Sequence, residues 1–412
     1  MDAPGAGKED GAPPLPPGLD QEAVRAMDAA DPLAGFRNRF VIPDGVIYLD
    51  GNSLGPPAAG TAERLAAFVR AEWGGRLIRG WYEGWMALPE RLGDAIGRLI
   101  GAPPGATIVA DSTSVNLYKA ARAALELAAG RCRVLIDEAD FPTDRYILAA
   151  AAAEAGMKLE AVPAARLAAA IDEDTALVAF SHVDYRTAEV RDLKALTAAA
   201  HAAGARVLVD LSHSAGVLPV ELAASGADLA VGCGYKFLNG GPGAPAFISV
   251  RPDLLAVARS PIPGWMAHCD PFAFAPEFVP AAGIRRFACG TPPVLGLQAL
   301  SVALENFAEL DVAALAAKAR RLGSLFLATL EARRGPLGGA LLSPRDEAGR
   351  GAQVSLRQAE ARRLMGELAA RGVIGDFRPP DVMRFGFSPL ILTYDEVRRA
   401  AEILADLLAA HR

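Results

Sequence analysis

The chain has 412 residues, 52% hydrophobic and 22% charged, with 42 Lys and Arg against 48 Asp and Glu for a net charge of −6. At roughly 150 residues per domain this length suggests about two domains, and the apolar content excludes disorder over the whole chain. An acidic balance without a basic tract argues against nucleic-acid binding, which needs clustered cations to displace counterions. The four cysteines, Cys132, Cys233, Cys269 and Cys289, form no CxxC pair, and the five histidines form no HExxH, so neither a disulfide scaffold nor a metal site is expected. No apolar run approaches the ~18 residues of a membrane span, and the acidic, Pro/Gly-rich start is unlike a signal peptide. A cytoplasmic enzyme without membrane contact is the default expectation.

Residues 1–18 read as a disordered tail. A helix is expected over Glu22–Ala30, then a short strand Val46–Leu49 running into the turn-rich Asp50-Gly51-Asn52-Ser53-Leu54-Gly55-Pro56-Pro57. A helix follows over Thr61–Glu72. The middle of the chain alternates: helix Ser112–Leu127, strand Arg133–Ile136, helix Ala149–Gly156, strand Ala176–Phe180, helix Asp192–Ala203, and strands Arg206–Val209, Leu229–Gly232 and Ala246–Val250. Short apolar strands separated by amphipathic helices predict an α/β fold, a mostly parallel sheet covered on both faces. Residues 260–293 are loop-rich. Beyond Leu295, two long helices, short strands and a last helix Tyr394–His411 suggest a smaller C-terminal α+β domain.

Ligands of open parallel sheets bind beyond the carboxyl ends of the strands. Those ends carry Asp137-Glu138-Ala139-Asp140-Phe141-Pro142-Thr143-Asp144, then Ser181-His182-Val183-Asp184-Tyr185-Arg186, Asp210-Leu211-Ser212-His213-Ser214 and Gly234-Tyr235-Lys236. Lys236 is a lone lysine in an apolar, glycine-rich run, surroundings that suit an amine nucleophile forming a Schiff base. Taken alone it reads as a snorkelling or surface-exposed lysine, and only its combination with Asp210 shifts that balance. Asp210, at the end of a buried strand, fits an acid paired with the pyridinium nitrogen of pyridoxal phosphate, although an acid there also serves as a loop or cap residue. Asp111-Ser112-Thr113-Ser114 opens a helix, where hydroxyls and free N–H groups make an anion site as well as an ordinary N-cap. Gly51-Asn52-Ser53-Leu54-Gly55 matches the GxSxG elbow of α/β-hydrolases but lacks an HGG-type loop before it.

Together these residues resemble the kynureninase family. The resemblance is carried in order by YLDGNSLG (48–55), LIRGW and a further GW (77–85), STSVNLYK (112–119), DFPTDRY (140–146) and SHVDYRT (181–187). It continues through VDLSHSAG (209–216), GYKFLNGGPGAP (234–245), GWMAH (264–268), GTPP (290–293) and MRFGFSPL (383–390). It implies the fold-type I architecture of pyridoxal-phosphate enzymes. It implies an N-terminal segment 19–60 packing on the small domain and active site, a large cofactor-binding domain 61–290 and a small domain 291–412.

The resemblance further makes Lys236 the Schiff-base lysine, Asp210 the partner of the ring nitrogen and Tyr235 a proton donor. Thr113 and Ser114 would contact the cofactor phosphate and Phe141 would stack on the ring, while Pro142, Thr143, Asp144, Ser181 and His213 complete the cofactor pocket. Trp265 and Thr291 would reach the phosphate across a homodimer boundary. Arg384, with Asn52 and Ser53, would hold the substrate. The implied reaction is hydrolytic Cβ–Cγ cleavage of L-kynurenine, or its 3-hydroxy form, to anthranilate, or 3-hydroxyanthranilate, and L-alanine in tryptophan catabolism. Departures are Ile391 where the family often has tyrosine, and Ala267 and Ala188 where glycine is frequent. The competing readings are a cysteine-desulfurase-like lyase, for which Cys269 and Cys289 lie in unsuitable motifs, and a non-catalytic cofactor-binding relative.

Overall fold

A computed structural model describes residues 19–128 and 130–411. The expected tail, residues 1–18, lies outside the described residues. Twelve strands occur among those described: β1 Ile47–Tyr48, β2 Thr107–Val109, β3 Arg133–Asp137, β4 Lys158–Val162, β5 Thr175–Ser181, β6 Arg206–Asp210, β7 Leu229–Gly232, β8 Phe247–Val250, β9 Gln353–Arg357, β10 Val373–Ile374, β11 Asp376–Arg378 and β12 Val382–Gly386. Seven of them form one sheet in the order β2-β8-β7-β6-β5-β3-β4. The pairings from β7 through β6, β5 and β3 to β4 are parallel. β8 runs antiparallel to both of its neighbours, so the sheet is mostly parallel as its apolar strands predicted.

Every residue of β5 and β7 is buried, and helices lie over the sheet, including Thr113–Glu126, Pro142–Glu154 and Leu193–Ala202. Each fully buried Val, Leu or Ile contributes about 1.5–3 kcal/mol to such a core. β4 escaped the sequence reading because it is a half-exposed edge strand without an apolar run. The helix expected from Ala149 begins instead at Pro142. Proline at its first position and Asp144 in its first turn are both favoured at a helix start, where proline's missing N–H costs nothing and the dipole welcomes a carboxylate. The segment read as helix over Thr61–Glu72 is α-helical to Ala67 and widens into a π-type stretch over Phe68–Trp73.

Beyond residue 290, helices Val294–Glu305 and Val312–Arg334 lead to an antiparallel three-stranded sheet, β11-β12-β9. The final helix Tyr394–Ala410 starts with a capping box of Thr393 and Glu396. Phe326 of the long helix packs its ring 4.9 Å from that of Phe385 and 5.6 Å from that of Phe387, tying helix to sheet. The early strand β1 crosses the chain to pair in parallel with β10, with Ile47 opposite Val373. That pairing delivers residues 50–55 to the region where the large and small sheets meet. Among the described residues no helix is long and apolar enough to cross a membrane.

Candidate active site

β3, β5, β6 and β7 run parallel, so their carboxyl ends share one edge of the sheet. Ser181 and Asp210 end adjacent strands as register partners. Around that edge lies a cavity of about 200 Å³. It is lined by Thr113, Ser114, Phe141, Thr143, Asp144, Ser181, Asp210, His213, Tyr235 and Lys236, together with Val183, Tyr185 and Ser212. The first ten were expected from the sequence, and the fold gathers them from five separate segments. Pro142, Asn52, Ser53, Arg384, Trp265 and Thr291 do not line it.

Lys236 and His213 face each other, with Nζ 2.9 Å from Nε2. Burial, and then the positive charges of Lys236, Arg384 and Arg378, hold the His213 imidazole well below its ordinary range, so it is neutral at pH 7. Its nitrogen therefore accepts a hydrogen bond from the amine. Across the cavity the carboxyl of Asp144 is pushed well above its usual range by burial and by the neighbouring Asp210 and Asp140. Asp140 itself, buried but held by Ser181, is raised to about 6. The Ser181 hydroxyl donates to Asp140, which ties the end of β5 to the loop after β3. Tyr235 has its phenol pushed up by burial and by the charges of Cys233 and Asp210, which keeps its proton in place.

Thr113 and Ser114 occupy the first turn of a helix capped by Ser112, whose hydroxyl accepts from the Val115 N–H. The turn that feeds this helix is pinned from beneath. Lys119, with no exposed side-chain surface, donates to Asp111 Oδ2 at 2.7 Å and to the Phe287 carbonyl at 2.6 Å. Asp111 adopts a left-handed φ of 49°, which that pair helps to hold.

The 50–55 loop closes on the lysine loop. The Gly55 N–H donates to the Tyr235 carbonyl at 2.8 Å, and a Cβ at Gly55 would meet the Lys236 carbonyl at 2.4 Å and the Asn239 side chain at 2.1 Å. Only glycine permits that approach. Asn52 is fully buried and donates to Gln353 Oε1 at 2.7 Å. Gln353 in turn donates to the Tyr185 carbonyl at 3.1 Å.

The same carbonyl accepts from Arg384 Nη1 at 2.6 Å. Arg384 is 1% exposed and grips Asp376 through both Nε, at 2.7 Å, and Nη2. Its Nη2 also donates to Ser53 Oγ at 3.0 Å, while Ser53 donates to Asp376 Oδ2 at 2.6 Å. Asn52, Ser53 and Arg384 therefore form one connected cluster just behind the backbone of the cavity-lining Tyr185.

Three residues of this arrangement were not singled out from the sequence. Tyr185 lines the cavity, sets its ring edge-on to Phe141 at 5.2 Å and lends its carbonyl to the Arg384 cluster. Its place four residues beyond the end of β5 was the available signal. Gln353 and Asp376 carry no local motif. Asp376 is revealed only by the register of β11 with β12, which sets it opposite Arg384.

The residues present suit pyridoxal phosphate: an amine for its aldehyde, hydroxyls at a helix N-terminus for its phosphate, and clustered carboxylates in need of a cationic partner that its ring nitrogen would supply. The fold agrees. A C-DES variant with glycine covalently linked to its PLP cofactor superposes with a TM-score of 0.77 at 20% identity, covering 90% of this chain and 99% of that one. The architecture is thus that of the fold-type I pyridoxal-phosphate enzymes. A model of the kynureninase C-terminal domain matches residues 315–404. The kynureninase of Pseudomonas fluorescens is 44% identical over 391 residues, 93% of this chain and 94% of that protein. The kynureninase of Deinococcus radiodurans is likewise 44% identical, over 96% of this chain and 98% of its own length. The chain belongs to the kynureninase family.

Proposed function

We propose that the protein uses pyridoxal phosphate to cleave L-kynurenine hydrolytically between Cβ and Cγ, giving anthranilate and L-alanine. The observation that carries this is the meeting, in one cavity, of Lys236, His213, Asp210, Asp144 and the hydroxyls of Thr113 and Ser114. When bound, the cofactor supplies an electron-withdrawing ring that takes up the negative charge left at the substrate Cα.

The remaining tasks fall to the chain. Thr113 and Ser114 hold the phosphate with the N-terminal end of their helix dipole. Asp210, backed by Asp144, would pair with the ring nitrogen, and Phe141, braced edge-on by Tyr185, would pack against the ring. Lys236 would hold the cofactor through its aldehyde and would move the substrate Cα proton as general base, with neutral His213 accepting a hydrogen bond from its amine. Tyr235, kept protonated by burial, donates a proton to Cβ after the bond breaks. Arg384 orients the substrate α-carboxylate, with Asn52 and Ser53 positioning it.

The assembly we propose is a homodimer. An exposed aromatic face joins Tyr82, stacked on Phe272 at 4.6 Å, to Trp81, Trp265 and Phe274, with Ile78 71% and Tyr82 70% exposed. A surface of this kind suits burial against a second copy. Trp265, part of that face, and Thr291, both outside the cavity, would complete the partner's phosphate site. The division into segment 19–60, large domain 61–290 and small domain 291–412, and a cytoplasmic location, complete the reading. Unpaired cysteines, two of them exposed, favour a reducing compartment.

The test is direct. Cofactor-loaded protein given L-kynurenine should produce fluorescent anthranilate and equimolar alanine. Lys236→Ala should lose the visible absorbance of the lysine-bound cofactor, and more than ~10³-fold of the turnover, with its circular dichroism unchanged. Turnover in that variant at the parental rate would refute the assignment.

A further inference from the structure

A second hollow, of about 700 Å³, lies where the first helix, Gln21–Ala29, the long helix Val312–Arg334 and the start of the final helix meet. It shares no lining residue with the cofactor cavity, and its volume is within the roughly 300–1,000 Å³ of small-molecule sites. On the long helix Ala314, Ala317, Lys318 and Arg321 share one face at helical spacing, and the two alanines leave room that longer side chains would fill. Met27, Pro32 and Leu33 form the apolar wall opposite.

The polar groups of this hollow are out of balance. Lys318, Arg320 and Arg321 line it against two acids, Asp31 and Glu347. Asp31 is already committed, since its Oδ1 accepts from the Leu33 N–H at 2.9 Å and its Oδ2 lies 2.6 Å from Lys318 Nζ. The Lys318 side chain is only 6% exposed, and burial holds its ammonium below the ordinary range in spite of Asp31. An ammonium carries three donors, of which this contact uses one.

Arg320 is less compensated still. Among the described residues no carboxylate forms an ion pair with it, and its Nε is buried without a hydrogen-bond partner. Its charge is felt at His182, whose imidazole is held down at about 4 by burial and then by Arg320. A buried donor without an acceptor is costly, and an arriving carboxylate relieves that cost. Tyr394, its phenol pushed up to about 12 by burial and by Asp31, keeps its proton and adds a hydroxyl to the same wall.

We propose that this hollow is a second ligand site, separate from the cofactor cavity, for a small aromatic carboxylate, with Arg320 and Lys318 taking the carboxylate and the ring lying against Met27, Leu33 and Ala317. A purely polar anion such as phosphate would leave the apolar wall unmatched, and an uncharged ring would leave Arg320 unmet. The choice of anthranilate as the probe rests on the proposed function, of which it is the product.

Equilibrium dialysis of the cofactor-loaded protein against anthranilate, counted by its fluorescence in the protein-free compartment, tests the site. Arg320→Gln removes the charge and Ala317→Trp fills the hollow. Each should lower the affinity at this site at least tenfold, with the fold, read by circular dichroism, unchanged. Anthranilamide, the same ring without the charge, should bind the parent at least tenfold more weakly than the acid and should not distinguish the parent from Arg320→Gln. Ala317→Trp carries the test alone should the glutamine variant not fold. No binding by the parent, or acid and amide binding alike, would overturn the proposal. So would an isotherm that either variant leaves unchanged, which would place the bound anthranilate in the cofactor cavity. Dialysis needs no turnover, so failure of the parent to cleave kynurenine would remove the proposed function and leave this site to its own result.

Discussion

Single residues at the site are held in states that water would not favour, and the fold maintains them by controlling what each can touch. Asp50 is the measurable case. Its carboxyl is raised to about 7 by burial and by Asp376, and its Oδ1 is buried without a partner. A carboxyl whose folded pKa lies above its unfolded value contributes stability fully present below pH 4 and lost as pH rises through 7. Asp50→Asn removes that loss. The variant should gain on the parent between pH 4 and pH 8, by about 2 kcal/mol once solvent screening at this partly buried position is allowed for. Urea unfolding of the cofactor-free protein at the two pH values reads the difference, and a gain that is constant with pH would contradict it. Lys236, His213 and Asp210 were legible in the sequence because each stands just beyond a buried strand or in the glycine-rich loop after one. Asp376 was not, because its importance comes from strand register alone.

Among the elements, the turn between Val183 and Val190 shows how a departure from the family's usual residue is accommodated. These two residues form an antiparallel bridge, and Ala188 within the turn has φ of 63° with its methyl fully buried. That backbone region suits glycine, which explains why glycine is frequent there in the family the motifs resemble. Alanine meets the strain at roughly 1–2 kcal/mol. A β-branched side chain cannot, so Ala188→Val should destabilise the protein by about 3 kcal/mol in a urea titration, through strain together with overpacking. Ala188→Gly should stay within about 1 kcal/mol of the parent, since relief of strain is offset by the lost methyl and the freer unfolded chain.

Other elements were read from the chain with uneven success, and the reason is physical. β5, β6 and β7 are continuous apolar runs that announce burial on both faces. β4, half exposed at the sheet edge, and β2, only three residues long, announce nothing. The helix at Pro142 was placed seven residues late because its first turn is built from DFPTDRY, whose polar residues serve the site rather than the core.

At the scale of the whole molecule, the exposed aromatic face around Tyr82 and Phe272 is the feature a lone chain does not explain. Sedimentation of the parent should give a dimer. Tyr82→Asp together with Phe274→Asp should shift it toward monomer and weaken cofactor retention by at least tenfold, because the phosphate site would lose its cross-subunit residues. A monomeric variant retaining cofactor at parental affinity would show that each site is complete within its own chain.

The pairing of β1 with β10, and the bonds from Ser53 to Asp376 and from Asn52 to Gln353, join residues near 50 to residues beyond 350. Chain leaving a ribosome therefore makes one half of the pocket long before the other. Every residue named for the cofactor within a single chain lies between 113 and 236, so that half can be arranged while the half around Gln353, Asp376 and Arg384 has not yet been translated. The early 50–55 loop must then wait, its asparagine and serine unsatisfied, until some three hundred further residues have been added. Synthesis order thus separates the residues assigned to the cofactor from those assigned to the substrate, the first all being translated before the partners of the 50–55 loop exist.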